Sequence, residues 1–190
     1  SKDQTWNHVK KAASKDKRIV ALRNDKNKGI AATLNKGLEK ATGKYIARMD
    51  GDDTCHPQRL EKELDYLQKH PEKDLVFTDL TYIDEQGKRF GKRRYTLKGL
   101  DKRIQKESPI AHATVLFKKS ILNKSGMYNS AFDGAEDYDL WIRMHLAGVR
   151  FGHIPELLYD YRMQSQSTKF RGITKQLKKV IKVKKHAMQT

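Results

Sequence analysis

The chain alternates between apolar residues spaced for helices and short apolar runs of strand length. Trp6, Val9, Ala12 and Ala13 recur at helical spacing, and Ile19, Val20, Ala21 and Leu22 follow as an unbroken run that predicts a short strand. Ile30, Leu34, Leu38 and Ala41 mark one face of a second helix, closed near Gly43. Tyr45, Ile46, Ala47 and Met49 read as a strand of a buried sheet. Pro57 suits the first turn of the next helix, where its missing N–H costs nothing, and Leu60, Leu64 and Leu67 line its inward face before Pro71 ends it. Residues 75–78 predict another buried strand, with a hairpin turn at Glu85, Gln86 and Gly87. The pattern loosens over residues 88–108, which read as a mobile basic loop; strand character resumes over 113–117, and a helix follows over 136–147, closed by Gly148. This alternation predicts an α/β fold with a mainly parallel sheet flanked by helices.

After Ser167 the character changes. Ile173, Leu177, Val180 and Ile181 form an apolar stripe, while Lys175, Lys178, Lys179, Lys182, Lys184 and Lys185 crowd the other positions. Residues 1–168 are therefore expected as one domain and 169–190 as an appended basic amphipathic helix. Two situations suit such a helix: lying on an anionic bilayer surface, or packing on the domain with its lysines in water.

Composition narrows the class. The 190 residues are 37% hydrophobic, enough for a real core, and no apolar run reaches the length of a membrane span. No charged-then-apolar leader precedes a small-residue cleavage site. Cys55, the single cysteine, has no internal partner for a disulfide and no second cysteine for a zinc site, so a reducing, cytoplasmic setting is expected. The net charge of +17 calls for anionic partners: nucleic acid, acidic lipid or phosphorylated small molecules. Its clusters, among them Lys88, Arg89, Lys92, Arg93 and Arg94, hold few aromatic residues for stacking bases, only Phe90 and Tyr95 being near. A nucleic-acid-binding module is thus the alternative rather than the leading reading.

Two acidic groups carry the chemistry. Asp50, Asp52 and Asp53 follow an apolar strand that would not itself tolerate them, at the strand end where α/β sheets bind ligands. Asp50 and Asp52, one residue apart, can serve a hard divalent cation such as Mg²⁺ or Mn²⁺, which shares its oxygen ligands with phosphates. A solvated acidic turn at Gly51 is the plainer explanation of the same residues. Glu136, Asp137 and Asp139 stand at a helix start, where acids favour the helix dipole; capping accounts for one or two of them but does not require three. Tyr138, Trp141 and Ile142 would pack inward and leave Asp137 at the mouth, able to accept a proton from a sugar hydroxyl.

Taken in order, NKGIAATLNKGLEKATGKYIARMDGDD with Pro57, Arg59 and Leu60, then SPIAHATVLFKKSIL, GMYNSAFDGAEDYDLWIR and YDYR resemble the family 2 glycosyltransferases of the GT-A fold. The resemblance runs from residue 1 to about Ser167. It implies an inverting, metal-dependent transfer from a nucleoside diphosphate sugar, UDP in the first instance, to a saccharide or lipid-linked acceptor in polysaccharide or glycoconjugate assembly. By the same resemblance, Asp50 and Asp52 match the DxD that handles ribose and metal, with Asp52 the direct ligand. Asp137 matches the catalytic base, and Gly29 and Asn35 match the loop and helix that approach the nucleotide. Arg162 is expected at the leaving group, its alternative being an ion pair with Asp160. Glu136, Trp141 and His112 are expected on the acceptor side, although a lone histidine is more often structural. Two departures stand out: the first strand–helix–strand unit is missing, so a fragment of a longer enzyme is expected, with inactivity by itself the alternative to transfer, and Gln164 stands where many relatives have a histidine. The expected location is the cytoplasmic face of a membrane, reached through residues 170–190.

Overall fold

The computed structural model describes residues 3–163 and Val183. Its elements run α1 (Thr5–Lys15), α2 (Ile30–Lys40), β1 (Tyr45–Ala47), β2 (Thr54–Cys55), α3 (Arg59–Lys69), β3 (Leu75–Ile83), β4 (Arg89–Arg93), α4 (Leu100–Ile104), β5 (Val115–Lys118), α5 (Leu122–Ser125), α6 (Glu136–Leu146) and β6 (Phe151–Arg162). A 3-10 turn, His112–Thr114, leads into β5.

The sheet order is β1-β5-β3-β6-β2, and β3 organises it. Along one edge of β3, β5 pairs with the first half (Leu75 opposite Phe117) and β4 with the second half (Leu80 opposite Arg93). Along the other edge β6 runs parallel for the full length, from Leu75 beside Phe151 to Ile83 beside Arg162, with register shifts around Asp79. Every other pairing is antiparallel, which corrects the expectation of a mainly parallel sheet. Strands β1, β3 and β6 do share a direction. The alternation of helix and strand could not show that β5 returns between β1 and β3, because that pairing joins segments about seventy residues apart.

Both faces of the sheet are covered. Phe77, Val115 and Phe117 pack with Leu140, Trp141 and Met144 of α6 and with Ala31 and Leu38 of α2. On the opposite face Val76, Leu116, Ile154 and Leu158 meet Leu67 of α3.

Helices α1, α2, α3 and α6 fall close to where the periodicity put them, and Gly87 (φ 86°) and the Asp84 carboxylate, accepting from the Gln86 and Lys88 amides, shape the expected hairpin turn. Three expectations are corrected. Residues 19–22 form no strand, and Val20 is 66% exposed; among the described residues nothing pairs with the outer edge of β1, and a short strand without a neighbour leaves its backbone unsatisfied. Residues 88–108 hold β4 and α4 rather than a structureless loop. In α3 the buried face is Arg59, Glu63 and Leu67, while Leu60 is turned to solvent. The helix expected over 169–190 and Gln164 lie outside the described residues, apart from Val183, which is helical and buried beside Phe132, Ala135, Tyr138 and Ile142. Among the described residues no helix is long and apolar enough to cross a membrane.

Candidate active site

Past β1 the chain turns through residues 48–53 before β2. The Arg48 guanidinium forks onto both oxygens of Asp50, Nη1 to Oδ2 and Nη2 to Oδ1 at 2.5 Å each. The Asp50 amide donates to Tyr159 Oη (3.1 Å), and the Tyr159 hydroxyl donates to Asp53 Oδ2 (2.7 Å). The other Asp53 oxygen accepts from the Arg162 amide (2.7 Å). Asp53 is therefore turned inward, and burial pushes its carboxyl above the usual carboxylate range. Grouped with its neighbours as a binder of external charge, it instead anchors the loop. Asp52 is exposed at the tip.

Arg162 fastens this loop to the β3–β4 turn. Its Nε donates to the Asp52 carbonyl (2.7 Å), and its Nη1 donates to the carbonyls of Asp84 (2.8 Å) and Glu85 (3.0 Å). The expected alternative, a pair with Asp160, does not form, because Asp160 faces Arg89 at 3.4 Å.

The second acidic group opens α6. Tyr138, Trp141 and Ile142 pack inward as their spacing predicts, which leaves Asp137 half-buried with its Oδ1 accepting from the Tyr138 amide (2.8 Å). Glu136 is buried, accepts from the Gly134 amide, and has its carboxyl raised above the ordinary value by burial. Asp139 is held by Arg143 at 2.6 Å, so the third acid is accounted for by an ion pair. His112, also buried, bonds through Nε2 to Tyr128 Oη (2.7 Å) and lies edge-on to Trp141 with ring centroids 5.8 Å apart. Trp141 is itself completely buried. It packs edge-on against His112 and offers no exposed surface of its own to the cleft where it was expected.

Tyr128 is buried where charges of both groups act on it. Its hydroxyl lies within the fields of Arg48, Asp137 and Glu136 together, and burial raises its pKa. Its backbone is pinned by Asn35, whose Nδ2 donates to the Tyr128 carbonyl (2.8 Å) while its Oδ1 accepts from the Tyr128 amide (2.9 Å). Gly29 serves the same segment. With φ at 84° it leads into α2, and a Cβ there would fall 1.7 Å from Asp133 Oδ2; Asp133 Oδ1 accepts from the Ala31 amide at 2.9 Å. Gly29 and Asn35 thus lock the approach to α6 onto α2, a structural task beside the nucleotide contact expected of them.

Arg48, Tyr128, Asp133 and Tyr159 escaped the sequence reading. Arg48 had a local signal, a cation ending an apolar strand beside the acids. Tyr159 meets Asp50 from 109 positions away, and no periodicity records such a meeting.

Among the described residues no three acidic, histidine or cysteine side chains converge into a ready metal cage. What is present fits a sparser mode: Asp52 exposed and Asp50 beside it suit a hard cation that takes one or two carboxylates and completes its shell with phosphate and water.

The comparisons with known proteins agree with this geometry. The model of glycosyl transferase family 2 matches residues 1–126. The chain is 36% identical over 171 residues to an uncharacterized glycosyltransferase of Methanocaldococcus jannaschii, covering 88% of this chain and 59% of that protein. It is 34% identical over 148 residues to the amylovoran biosynthesis glycosyltransferase AmsE of Erwinia amylovora, covering 77% of this chain and 55% of that protein. The chain therefore spans somewhat over half the length of these relatives. Among solved structures, Staphylococcus aureus TarS 1–349 in complex with UDP superposes with a TM-score of 0.72 at 17% identity, over 98% of this chain and 53% of that one. The mannosyltransferase PcManGT of Pyrobaculum calidifontis, in complex with GDP-Man and Mn²⁺, gives 0.65 at 18% identity, over 92% and 49%. At such identities the likeness is one of fold, and that fold is GT-A. The family match and the curated relatives add the rest: this chain belongs to the family 2 glycosyltransferases.

Proposed function

We propose that the chain carries the metal and base residues of an inverting glycosyltransferase that moves a sugar from a nucleoside diphosphate sugar, UDP in the first instance, to a saccharide or lipid-linked acceptor. What supports this reading is that Arg48, which forks onto Asp50, and the acids Glu136 and Asp137 all act on the Tyr128 hydroxyl through their charges, so the two acidic groups lie toward one buried side chain. A donor and an acceptor need two such groups at one place, with different tasks. Asp137, half-buried on the outer side of α6, takes the proton of the acceptor hydroxyl as that oxygen attacks the anomeric carbon. The bond to the diphosphate breaks on the opposite face, so configuration inverts and no enzyme nucleophile is needed. Asp52, with Asp50, would hold Mg²⁺ or Mn²⁺, which supplies charge stabilisation to the departing diphosphate. Arg48 keeps Asp50 oriented, and Arg162 holds the loop to the neighbouring turn. His112 and Glu136 line the acceptor side from beneath. A role in polysaccharide assembly takes its support from the amylovoran biosynthesis relative, and a place at the cytoplasmic face of a membrane takes its support from the lysine-rich sequence of residues 170–190 alone.

The test is a pair of variants. Asp52→Ala should remove the rise in melting temperature given by UDP with Mn²⁺ while leaving the unliganded melting temperature in place. Asp137→Asn should keep that rise and, in the parent enzyme, slow transfer by roughly 10²-fold to 10⁴-fold. Unchanged UDP–Mn²⁺ binding in the first, or normal turnover in the second, would remove the assignment.

A further inference from the structure

Two charged residues occupy the face that α3 turns to the sheet. Arg59 is 1% exposed and Glu63 0%. A buried ion pair by itself gives little stability over well-packed apolar side chains, so its retention here calls for a task. Its contacts supply one. Arg59 Nε donates to Glu63 Oε1 at 3.0 Å; its Nη2 donates to the Arg48 carbonyl at 3.0 Å and more weakly to the Val115 carbonyl at 3.4 Å. The guanidinium also lies 5.0 Å from the ring centroid of Tyr159.

Each of those contacts leads into the site. Arg48 is the residue whose side chain forks onto Asp50. Val115 opens β5 directly after the turn that carries His112, and its carbonyl also accepts from the Arg48 amide at 3.1 Å. Tyr159 holds the Asp50 amide and the Asp53 carboxylate through one hydroxyl. We infer that Arg59, oriented by Glu63 and backed by Tyr159, is a positioning residue that fixes the acidic loop of residues 48–53 against the start of β5, so that donor and acceptor groups stay in register. The inference rests on the glycosyltransferase reading for its purpose, but the loop it describes can be observed without any ligand.

The geometry also says why arginine is required. Nε and Nη2 point in different directions from one rigid plane, and a lysine ammonium on its flexible stem cannot hold a carboxylate, a carbonyl and an aromatic face in one fixed arrangement. Without the strut, three neighbouring carboxylates at positions 50, 52 and 53 repel one another and the loop relaxes.

Tyr159→Phe is the conservative variant, since it keeps the ring and the packing and removes only the two loop bonds; Arg59→Lys is the more severe one. Amide hydrogen exchange is followed over residues 48–53 and over α6, and UDP–Mn²⁺ affinity is measured on the same proteins, with Asp52→Ala as the reference for lost donor binding. The expected result is exchange at the Asp50 amide faster by roughly ten-fold in Tyr159→Phe, the scale of one hydrogen bond to a charged network, with α6 unchanged and affinity reduced by a similar factor. In the parent enzyme the donor KM should rise more than kcat falls. Unchanged exchange over residues 48–53 in Tyr159→Phe, or a rise spread evenly over the molecule in both variants, would overturn the inference. If the loop loosens as expected while the wild-type chain shows no response to UDP with Mn²⁺, the strut stands and the donor reading falls.

Discussion

Gly29 and Asp133 are fitted to one another so closely that a methyl group between them has no room. Gly29→Ala would place Cβ 1.7 Å from Asp133 Oδ2, and the backbone there, at φ 84° and ψ 173°, is one that essentially only glycine adopts and adds about 1–3 kcal/mol of its own. The expected loss exceeds about 2 kcal/mol of unfolding free energy in urea titration, and a variant within about 0.5 kcal/mol of wild type would show that the 133 segment moves away freely. Glu63 offers a pH test. Burial pushes its carboxyl from the ordinary 4.5 up to about 7 against the pull of Arg59. The folded protein therefore keeps a proton that the unfolded chain releases, so the stability this group contributes is complete below pH 4.5 and is lost as pH rises through 7. Relative to Glu63→Gln, wild type should lose melting temperature between those limits, and parallel profiles would show that the carboxyl titrates normally. At this scale the acids were legible because they break local rules: Asp50 and Asp52 end an apolar strand, and Asp137 is one acid more than a helix start needs. Tyr128 and Tyr159 break none, and their importance arises only from where the fold brings them.

Helix α3 shows what hydrophobic periodicity reads well and what it misreads. Leu60, Leu64 and Leu67 predicted the right helix and the wrong inward stripe, because Arg59 and Glu63 pair through Nε and Oε1 and take the buried positions that Leu60 would have filled. Leu60→Ser is accordingly expected to stay within about 0.5 kcal/mol of wild type, whereas Leu67→Ala should cost about 2–5 kcal/mol. Equal losses at the two positions would restore the original stripe. Residues 19–22 fail for a different reason. Apolar runs announce a wish for a sheet, but a strand exists only beside another, and the pairing partner is not written in the run itself. The antiparallel entry of β5 was hidden in the same way. What a local pattern did fix was the four longer helices, α1, α2, α3 and α6, and the turn at Asp84–Lys88, where spacing, glycine and capping chemistry act within a few residues.

For the molecule as a whole, Val183 is the one described point of the lysine-rich terminal region, and it is buried against Phe132, Ala135, Tyr138 and Ile142. Of the two situations open to that region, packing on the domain has this contact in its support. Val183→Ala should lower stability by roughly 0.8 kcal/mol per methylene equivalent removed, read as a fall in melting temperature, and no fall would leave the contact without weight. The single strand β3 has a consequence for how the protein comes into being. Its first half waits for β5, its second half for β4, and its whole opposite edge for β6, whose first residue lies 76 positions further along than its neighbour Leu75. The early hairpin can close quickly, but the central strand keeps one edge bare until nearly all of residues 75–162 have been made, and distant pairings of this kind are slow. A chain emerging from the ribosome therefore carries the acidic loop of residues 48–53 long before Tyr159 arrives to hold it, so among the described residues this loop is one of the last parts to acquire its shape.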